Sequence, residues 1–218
     1  MNAEDVKILI GIPALAEMKT ETTVSLITAT SRLNYRAILH VQKSCYVHDA
    51  RNKIVDTAIE KKCTHVMFID SDMSFPGDAM NTLVERDLDI VGGLYYRRQP
   101  PHSPTLNILE EGKLVNPTEF PTDKLFKVWG IATGFLLIKV SVFEKIPNPW
   151  FFFSKFNGND IGEDYHFCKL AHEAGFDVWC DPTFELGHIG EYCYDRKDFD
   201  IYASERKKNK EDLFDGAL

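Results

Sequence analysis

Two aspartates separated by one serine, Asp70-Ser71-Asp72, directly follow an apolar run at residues 66–69. A short apolar run bounded by turn residues predicts a buried strand of a parallel sheet. Ligands of open α/β sheets bind just beyond the carboxyl ends of the strands. Desolvated carboxylates held there repel one another unless a cation or a proton lies between them. Carboxylate oxygens suit Mg²⁺ or Mn²⁺, which could bridge to a diphosphate, so Asp70 and Asp72 are candidate metal ligands.

The position of this triplet distinguishes it from two others in the chain. Asp87-Leu88-Asp89 and Asp198-Phe199-Asp200 have the same spacing, but neither closes an apolar run. If the strand continued through Asp72, the two aspartates would face the same way, because strand side chains alternate. A solvated turn before the next helix is the competing interpretation.

Length and charge narrow the class of protein. A chain of 218 residues fits one large domain, and its 44% hydrophobic content supports a sizeable core. A net charge of −8 disfavours a general polyanion binder. The five cysteines are widely spaced, which favours free thiols in a reducing compartment. With an acidic start and no apolar run long enough to span a membrane, we expect a soluble, cytoplasmic protein without a transmembrane segment.

Strands and helices alternate in the first 93 residues, which predicts a parallel sheet with right-handed crossovers. The predicted strands are 6–12, 35–41, 66–69 and 89–92, and the predicted helices are 22–32, 48–62 and 78–86. No G-x-G-x-x-G motif follows the first strand and no Walker loop occurs, which disfavours the common dinucleotide and NTPase sites.

The second half has a different pattern. It predicts a hairpin at 106–109 and 113–115, strands at 127–131, 134–138 and 176–180, and helices at 141–145 and 163–174. The aromatic run at residues 150–153 fits a binding loop or a buried core segment equally well. We expect one domain over residues 1–203, with halves at 1–93 and 94–203, and a charged C-terminal tail at 204–218.

An ordered set of short motifs resembles the nucleotide-sugar glycosyltransferases of the A-type fold, especially family 2-like members. The motifs are Ala50-Arg51-Asn52, Asp70-Ser71-Asp72, Thr133-Gly134-Phe135, Gly162-Glu163-Asp164, Glu173-Ala174-Gly175-Phe176 and Gly187-His188. The resemblance as a whole covers roughly residues 6–190. The resemblance implies an α/β fold of the glycosyltransferase-A type: a Rossmann-like, mostly parallel sheet flanked by helices, with a smaller antiparallel acceptor-side portion. Residues 1–93 would be the nucleotide-binding half and 94–203 the acceptor-side half.

The resemblance also implies a metal site. Asp72 would ligate the ion directly, Asp70 would reach the ribose or a metal-bound water, and His188 matches a late metal ligand of many such enzymes. The imidazole of His188 tilts the choice of metal from Mg²⁺ towards Mn²⁺. A histidine in a turn between glycines is the competing interpretation.

Further residues are placed around the donor by the same resemblance. The main chain of Pro13 and Ala14 would wrap the base, with Ser71 in the same binding set. Arg51 would neutralise either Asp70 or the diphosphate. Arg97 and Arg98 are bidentate donors that could contact phosphate or donor sugar, and we expect at most one of them to do so.

Glu163 and Asp164 match the acidic pair in which one carboxylate acts as general base on the acceptor hydroxyl. Neighbouring helix residues point about 100° apart, so only one can address that hydroxyl, and we select Asp164. The helix start predicts a lowered pKa that keeps Asp164 ionised. An inverting reaction is favoured, whereas a retaining enzyme would need no such base.

The resulting prediction is a metal-dependent glycosyltransferase that uses a nucleoside diphosphate sugar, with UDP as the family's commonest carrier. The alternatives are a nucleotidyltransferase that activates a sugar phosphate, which lacks the expected Gly-rich loop after the first strand, and a non-catalytic nucleotide-sugar-binding module. The acceptor stays open among a glycan, a lipid-linked sugar, a protein and a modified nucleic-acid base, since small enzymes of this kind also occur in viruses and phages. The sequence does not predict an oligomeric state.

Overall fold

A seven-stranded sheet forms the centre of the computed structural model, which describes residues 3–190 and 193–215. The strands are β1 (Lys7–Ala14), β2 (Arg36–Lys43), β3 (His65–Ile69), β4 (Met73–Ser74), β5 (Ile90–Gly93), β6 (Leu106–Glu110), β7 (Lys113–Val115), β8 (Phe126–Val128), β9 (Gly130–Ile131), β10 (Phe135–Lys139), β11 (Ser154–Phe156), β12 (Asn159–Ile161), β13 (Val178–Asp181), β14 (Gly187–Ile189) and β15 (Cys193–Tyr194). The helices are α1 (Thr20–Ser31), α2 (Val47–Glu60), α3 (Ala79–Glu85), α4 (Val140–Phe143), α5 (Glu163–Glu173) and α6 (Arg196–Asp215).

The central sheet is mostly parallel and joins both halves of the chain. Its strand order is β2-β1-β3-β10-β5-β13-β8. Strands β1, β2 and β3 are mutually parallel, as are β5 and β13, while β10 and β8 run antiparallel to their neighbours. Because β10 lies between β3 and β5, a strand of the second half completes the sheet of the first. The predicted α/β class is confirmed.

Both faces of this sheet are buried, which explains the continuous apolar runs of its strands. In β3, Val66 and Phe68 pack with α2, α4 and α5 on one face, whereas Met67 and Ile69 pack with α1 and α3 on the other. All five residues of β3 are buried. The strand that precedes the aspartate triplet is therefore fixed from both sides.

Several small antiparallel elements depart from the predicted pattern. The single strand expected at 127–131 is two strands, because β8 pairs with β13 and β9 pairs with β6. The hairpin β11–β12 was not predicted, since its strands have only three residues each. The aromatic run divides: Trp150 and Phe151 are buried in the core, whereas Phe152 and Phe153 are 49% and 56% exposed.

The C-terminal helix begins earlier than the expected tail. Helix α6 spans Arg196–Asp215, and Phe199 and Tyr202 in its first turns are buried, with Phe199 stacked on Tyr96 at 4.8 Å between ring centroids. The predicted boundary between residues 203 and 204 falls inside this helix. Across the described residues, no helix combines the length and the apolar character needed to cross a membrane.

Candidate functional site

The turn of Asp70, Ser71 and Asp72 is held by backbone hydrogen bonds to three separate segments. The bonds run from Asp70 N–H to Gly134 O at 2.9 Å, from Lys19 N–H to Ser71 O at 2.9 Å and from Ile189 N–H to Asp72 O at 2.7 Å. The hydroxyl of Thr22 also donates to the carbonyl of Ser71 at 3.1 Å. The aspartates are therefore presented by a fixed turn at the carboxyl end of β3.

Asp70 is paired with a buried arginine. Nη2 of Arg51 lies 3.1 Å from Oδ1 of Asp70, and Nη1 lies 2.5 Å from Oε1 of Glu163. Arg51 is only 4% exposed. Burial opposes its charge, but the carboxylates of Asp70 and Glu163 raise the pKa of the Arg51 guanidinium, which stays charged. Of the two predicted partners for Arg51, Asp70 and the diphosphate, the structure shows Asp70.

Asp72 contacts a different set of side chains. Strand β3 ends at Ile69, so the condition under which the two aspartates would face the same way is not met. Oδ2 of Asp72 lies 2.9 Å from Nη1 of Arg98 and 3.5 Å from Nε2 of His188. Burial alone would raise the pKa of the Asp72 carboxyl, but hydrogen bonding to His188 and the charges of His188 and Arg98 lower it below its ordinary value.

His188 reaches Asp72 through strand pairing. Strand β14 pairs antiparallel with β4, which places His188 opposite Met73, the residue after Asp72. Two residues that are 116 positions apart in sequence therefore become neighbours. The second half of the chain supplies a side chain to the turn of the first.

The ring orientation of His188 tests whether a metal ion fits. Nδ1 of His188 lies 2.9 Å from the carbonyl oxygen of Tyr96, which can only accept, so Nδ1 carries the hydrogen. The protonated ring donates a hydrogen bond from Nε2 to the Asp72 carboxylate, whereas the neutral ring, the form that can ligate a metal, presents a lone pair there. A metal-ligating histidine commonly has such a carbonyl partner on its other nitrogen, and the pair fits one divalent ion.

The predicted trio of ligands is not assembled, because Asp70 is engaged by Arg51. Among the described residues, no group of three or more His, Cys, Asp and Glu side chains is arranged to hold a metal. Asp72 and His188 are thus two candidate ligands.

Asp164 differs from the sequence expectation in its pKa. It lies in the first turn of α5, where its Oδ1 accepts a hydrogen bond from the N–H of Tyr165 at 2.9 Å. Burial raises its pKa to about 6, with the charges of Glu163 and Asp70 adding to the effect and that of Arg51 opposing it. The prediction of a lowered pKa is wrong, because desolvation outweighs the helix start at this position.

A small pocket, here called the β1 pocket, brings together part of the predicted donor set at the carboxyl ends of β1 and β3, without Arg51, Arg97 or Arg98. Its volume is about 220 Å³, and its lining includes Pro13, Ala14, Asp70, Ser71 and Asp72. Ser44, Cys45 and Val47 also line it, and the sequence analysis missed them. They follow β2, whose carboxyl end meets the same sheet edge, so the strand pattern could have indicated them.

Tyr95 contacts the aspartate turn region through a hydrogen bond with Gly134 that the sequence did not predict. It is buried, and its hydroxyl accepts a hydrogen bond from the N–H of Gly134 at 3.0 Å. Any Cβ at position 134 would collide with that hydroxyl and would approach Oδ2 of Asp70. Gly134 therefore allows the close approach of Tyr95 to the aspartate turn.

The two adjacent arginines diverge. Arg98 pairs with Asp72, whereas Arg97 faces a larger cavity of about 870 Å³ that we call the hairpin cleft. The hairpins β6–β7 and β11–β12 line this cleft, as do Gly162 and Tyr165, which flank Glu163 and Asp164 in the chain. Of the two arginines, Arg98 contacts the aspartate turn, and the expectation that at most one of them contacts the donor stays a prediction.

Comparisons with known proteins bear on the fold. No family model matches the sequence, and no curated protein matches it. A197 from STIV is similar in structure with a TM-score of 0.61 and 17% identity, over 85% of this chain and 86% of that chain. The inositol-1-phosphate CTP transferase from T. maritima aligns over 93% of this chain and 96% of that chain, with a TM-score of 0.48 and 12% identity.

Other matching structures include a TarS fragment from S. aureus in complex with UDP-GlcNAc. It has a TM-score of 0.44 and 11% identity, over 87% of this chain and 58% of that chain. Further matching structures with TM-scores below 0.5 include a glycosyltransferase and a nucleotidyltransferase. At these identities the likeness shows the fold alone.

Proposed function

We propose that this protein is a metal-dependent glycosyltransferase that moves a sugar from a nucleoside diphosphate sugar to an acceptor hydroxyl. One observation carries the proposal. Asp72, His188 and the Arg51-linked carboxylates Asp70 and Glu163, with Asp164 beside them, meet at the carboxyl edge of one sheet. Ligands bind at that edge in open α/β folds.

Different residues of the chain would bind the base and the diphosphate of the donor. The base would lie in the β1 pocket against the main chain of Pro13 and Ala14, with Ser71 beside it. Asp72 and His188 would hold Mn²⁺, or Mg²⁺, against the diphosphate. When bound, the ion supplies Lewis-acid stabilisation of the negative charge that grows on the departing diphosphate. Because UDP is the family's commonest carrier, we propose a UDP-sugar.

Arg98 complements that role. Its guanidinium already neutralises Asp72 and is partly exposed, with 45% of its side chain accessible. An exposed guanidinium can turn to a phosphate oxygen and donate two hydrogen bonds. When the donor binds, Arg98 would therefore exchange its ion pair with the Asp72 carboxylate for an ion pair with the diphosphate.

Transfer itself would exchange one bond at the anomeric carbon for another. The bond from the sugar C1 to the diphosphate oxygen breaks, and its electron pair leaves with the nucleoside diphosphate. The acceptor oxygen forms the new bond to C1, and its proton passes to the carboxylate of Asp164. We propose inversion at C1, since Asp164 is present to serve as this base.

The pKa of Asp164 suits general-base catalysis. A base with a pKa near the working pH combines a useful ionised fraction with a strong drive to take the proton. Burial supplies that pKa of about 6, and Arg51 keeps it from rising further. Arg51 would thus act as a positioning residue that ties Asp70 on the donor side to Glu163 beside the base.

The test is incubation of the protein with Mn²⁺ and a panel of nucleotide sugars. We expect release of the nucleoside diphosphate, by slow hydrolysis or by transfer to an added acceptor, and its loss when Mn²⁺ is chelated. Asp56→Asn changes an exposed aspartate of α2 and is the matched control for Asp72→Asn.

Each other product contradicts the proposal in a recognisable way. Release of pyrophosphate from a nucleoside triphosphate and a sugar phosphate would assign nucleotidyl transfer instead. Tight binding of a nucleotide sugar with no turnover would assign a non-catalytic binding module. NMR could instead show a product with retained anomeric configuration. That result would agree with glycosyl transfer but would contradict the role of Asp164 as general base.

A further inference from the structure

We infer that the acceptor is a neutral saccharide and that it binds in the hairpin cleft. The inference rests on the proposed function and narrows the acceptor, for which the sequence leaves four classes open. Three features of the cleft carry it: its position beside Asp164, its lining and its two closing hairpins.

The position of the cleft connects it to the reacting centre. Gly162 and Tyr165 line the cleft, and they flank Glu163 and Asp164 in the chain. The ring of Tyr165 packs directly on the backbone of Gly130, where any Cβ would overlap it. A molecule resting on Tyr165 could therefore present a hydroxyl group to the neighbouring carboxylate of Asp164.

Three uncharged amides contribute to the polar lining. Asn107, Asn157 and Asn159 face the cleft, and Asn107 is oriented by Asn116, whose Nδ2 donates to its Oδ1 at 2.6 Å. An amide both donates and accepts hydrogen bonds, as a sugar hydroxyl does. Such side chains can form hydrogen bonds with several hydroxyl groups of a saccharide, and the ligand needs no charge.

The charged residues of the lining balance one another. Two cationic residues, Arg97 and Lys113, are matched in number by two anionic ones, Glu111 and Asp160, and Asp160 also pairs with Lys155 at 3.3 Å. A polyanion would require an excess of positive charge, so a nucleic acid is disfavoured. A hydrocarbon chain would exclude water from these four charges and the amides, so a lipid tail is disfavoured as well.

Aromatic rings complete the lining. Phe156 and Tyr165 face the cleft, and both pack against Trp129, with ring centroids 4.5 Å and 6.5 Å away. A rigid aromatic face beside polar groups suits the alternating apolar and hydroxylated surfaces of a sugar ring. The volume of about 870 Å³ also lies within the range of about 300–1,000 Å³ usual for small-ligand sites.

Two hairpin tips meet over this space. The tips are Glu111-Gly112 and Asn157-Gly158, and all four residues have positive φ, as tight hairpin turns require. Nδ2 of Asn157 donates to the carbonyl of Gly112 at 2.7 Å across the gap. This exposed bond joins the two walls, so the tips can separate to admit a saccharide chain and close behind it.

The test is saturation-transfer NMR of the full chain with a panel of neutral oligosaccharides that end in glucose, galactose, mannose, N-acetylglucosamine or N-acetylgalactosamine. The measurement uses neither nucleotide nor metal. We expect at least one saccharide to bind, and Asn159→Ala to weaken it about three- to tenfold, the effect of one lost hydrogen bond. Asn159 is exposed, so this variant should fold.

Lys124→Ala is the control, because Lys124 is exposed and does not line the cleft. Equal affinity in the wild type and this variant supports the assignment. No binding of any saccharide overturns it, as does binding that Asn159→Ala leaves unchanged. Binding in the cleft of a single-stranded oligonucleotide or a polyprenyl phosphate, with none of the saccharides, overturns it too.

These experiments distinguish failure of the acceptor proposal from failure of the glycosyl-transfer proposal. If a nucleotide sugar is turned over but no saccharide binds, only the acceptor class is wrong. If a saccharide binds in the cleft but no nucleotide sugar is bound or turned over, the glycosyl-transfer proposal is wrong, while the saccharide site remains.

Discussion

The aspartate turn and the hairpin cleft both lie near Asp164 but are built differently. The turn follows a strand buried on both faces, its backbone is bonded to three segments, and its carboxylates are paired with Arg51 and Arg98. The cleft is walled by two hairpins of three- to five-residue strands, whose tips share one exposed hydrogen bond.

This difference follows from the chemistry proposed for each side. A fixed arrangement of charge stabilises a departing diphosphate best when no group has to reorganise during the reaction. An acceptor that varies in length needs walls that can move, and such regions are drawn from locally less stable structure. On the two proposals above, the protein would combine a rigid charged side, the aspartate turn, with an adaptable polar side, the hairpin cleft.

The largest effect should come from Asp164→Asn, at a residue near both sides. We expect transfer to fall by about 10²- to 10⁴-fold, the usual contribution of a general base. Donor affinity, measured by calorimetry, should stay near that of the wild type, because the β1 pocket is untouched. Transfer at nearly the full rate would point to Glu163 or to a retaining mechanism.

Asp72→Asn should affect the rigid side alone. The change removes a negative charge without changing volume, so the circular dichroism spectrum should be preserved. Affinity for a UDP-sugar in Mn²⁺ should fall by about 10²-fold or more, since even the residues that support metal ligands contribute 10–100-fold. Saccharide binding in the hairpin cleft should be unchanged. A titration curve identical to that of the wild type would remove Asp72 from the metal site.

Arg51→Met should lower stability rather than only activity. It leaves the carboxylates of Asp70 and Glu163 without their shared partner in a largely buried site. We expect a loss of about 3 kcal/mol in the free energy of unfolding, measured in urea. Arg98→Met, at a partly exposed pair, is the matched control and should cost less than about 1 kcal/mol. Equal losses in the two variants would contradict the distinction between them.

The pH profile should report the raised pKa of Asp164. Its carboxyl accepts a proton only when ionised, so kcat/KM should be level above pH 6 and should fall about tenfold per pH unit below it. A lowered pKa, as the helix start alone predicts, would instead keep the rate level down to about pH 4. Measurement of initial rates between pH 4.5 and 8 at saturating Mn²⁺ separates the two, with donor affinity followed in parallel.

The smallest effect should come from Asn157→Ala, which removes the bond between the hairpin tips. The free energy of unfolding should change by less than about 1 kcal/mol, because the bond is exposed. Amide hydrogen exchange at residues 111–113 should become faster, while the aspartate turn keeps its protection. Unchanged exchange at these tips would show that the bond does not hold the walls together.

The rigid side was largely predictable from the sequence. Long apolar strands that end in polar residues identify both the sheet and its functional edge, which is why Asp70, Asp72 and Pro13 were placed correctly at one edge. The sequence could not show that Asp70 and Asp72 diverge after β3, because that depends on the buried position of Arg51.

The adaptable side was less predictable. Strands β11 and β12 have three residues each and no apolar periodicity, and the turn at Asn157-Gly158 was the only local signal. The pKa of Asp164 escaped prediction because local helix geometry favours ionisation, whereas tertiary burial opposes it. Long-range pairing of β4 with β14 also has no sequence signature, although it brings His188 to Asp72.

The most direct test of the account is an anomalous diffraction map from crystals of the protein with Mn²⁺ and UDP. The account predicts one manganese peak bonded to both Oδ2 of Asp72 and Nε2 of His188, with UDP phosphate oxygens completing its shell and the uracil in the β1 pocket. A peak bonded to neither side chain, or UDP bound without manganese while Arg98 still pairs with Asp72, would contradict it.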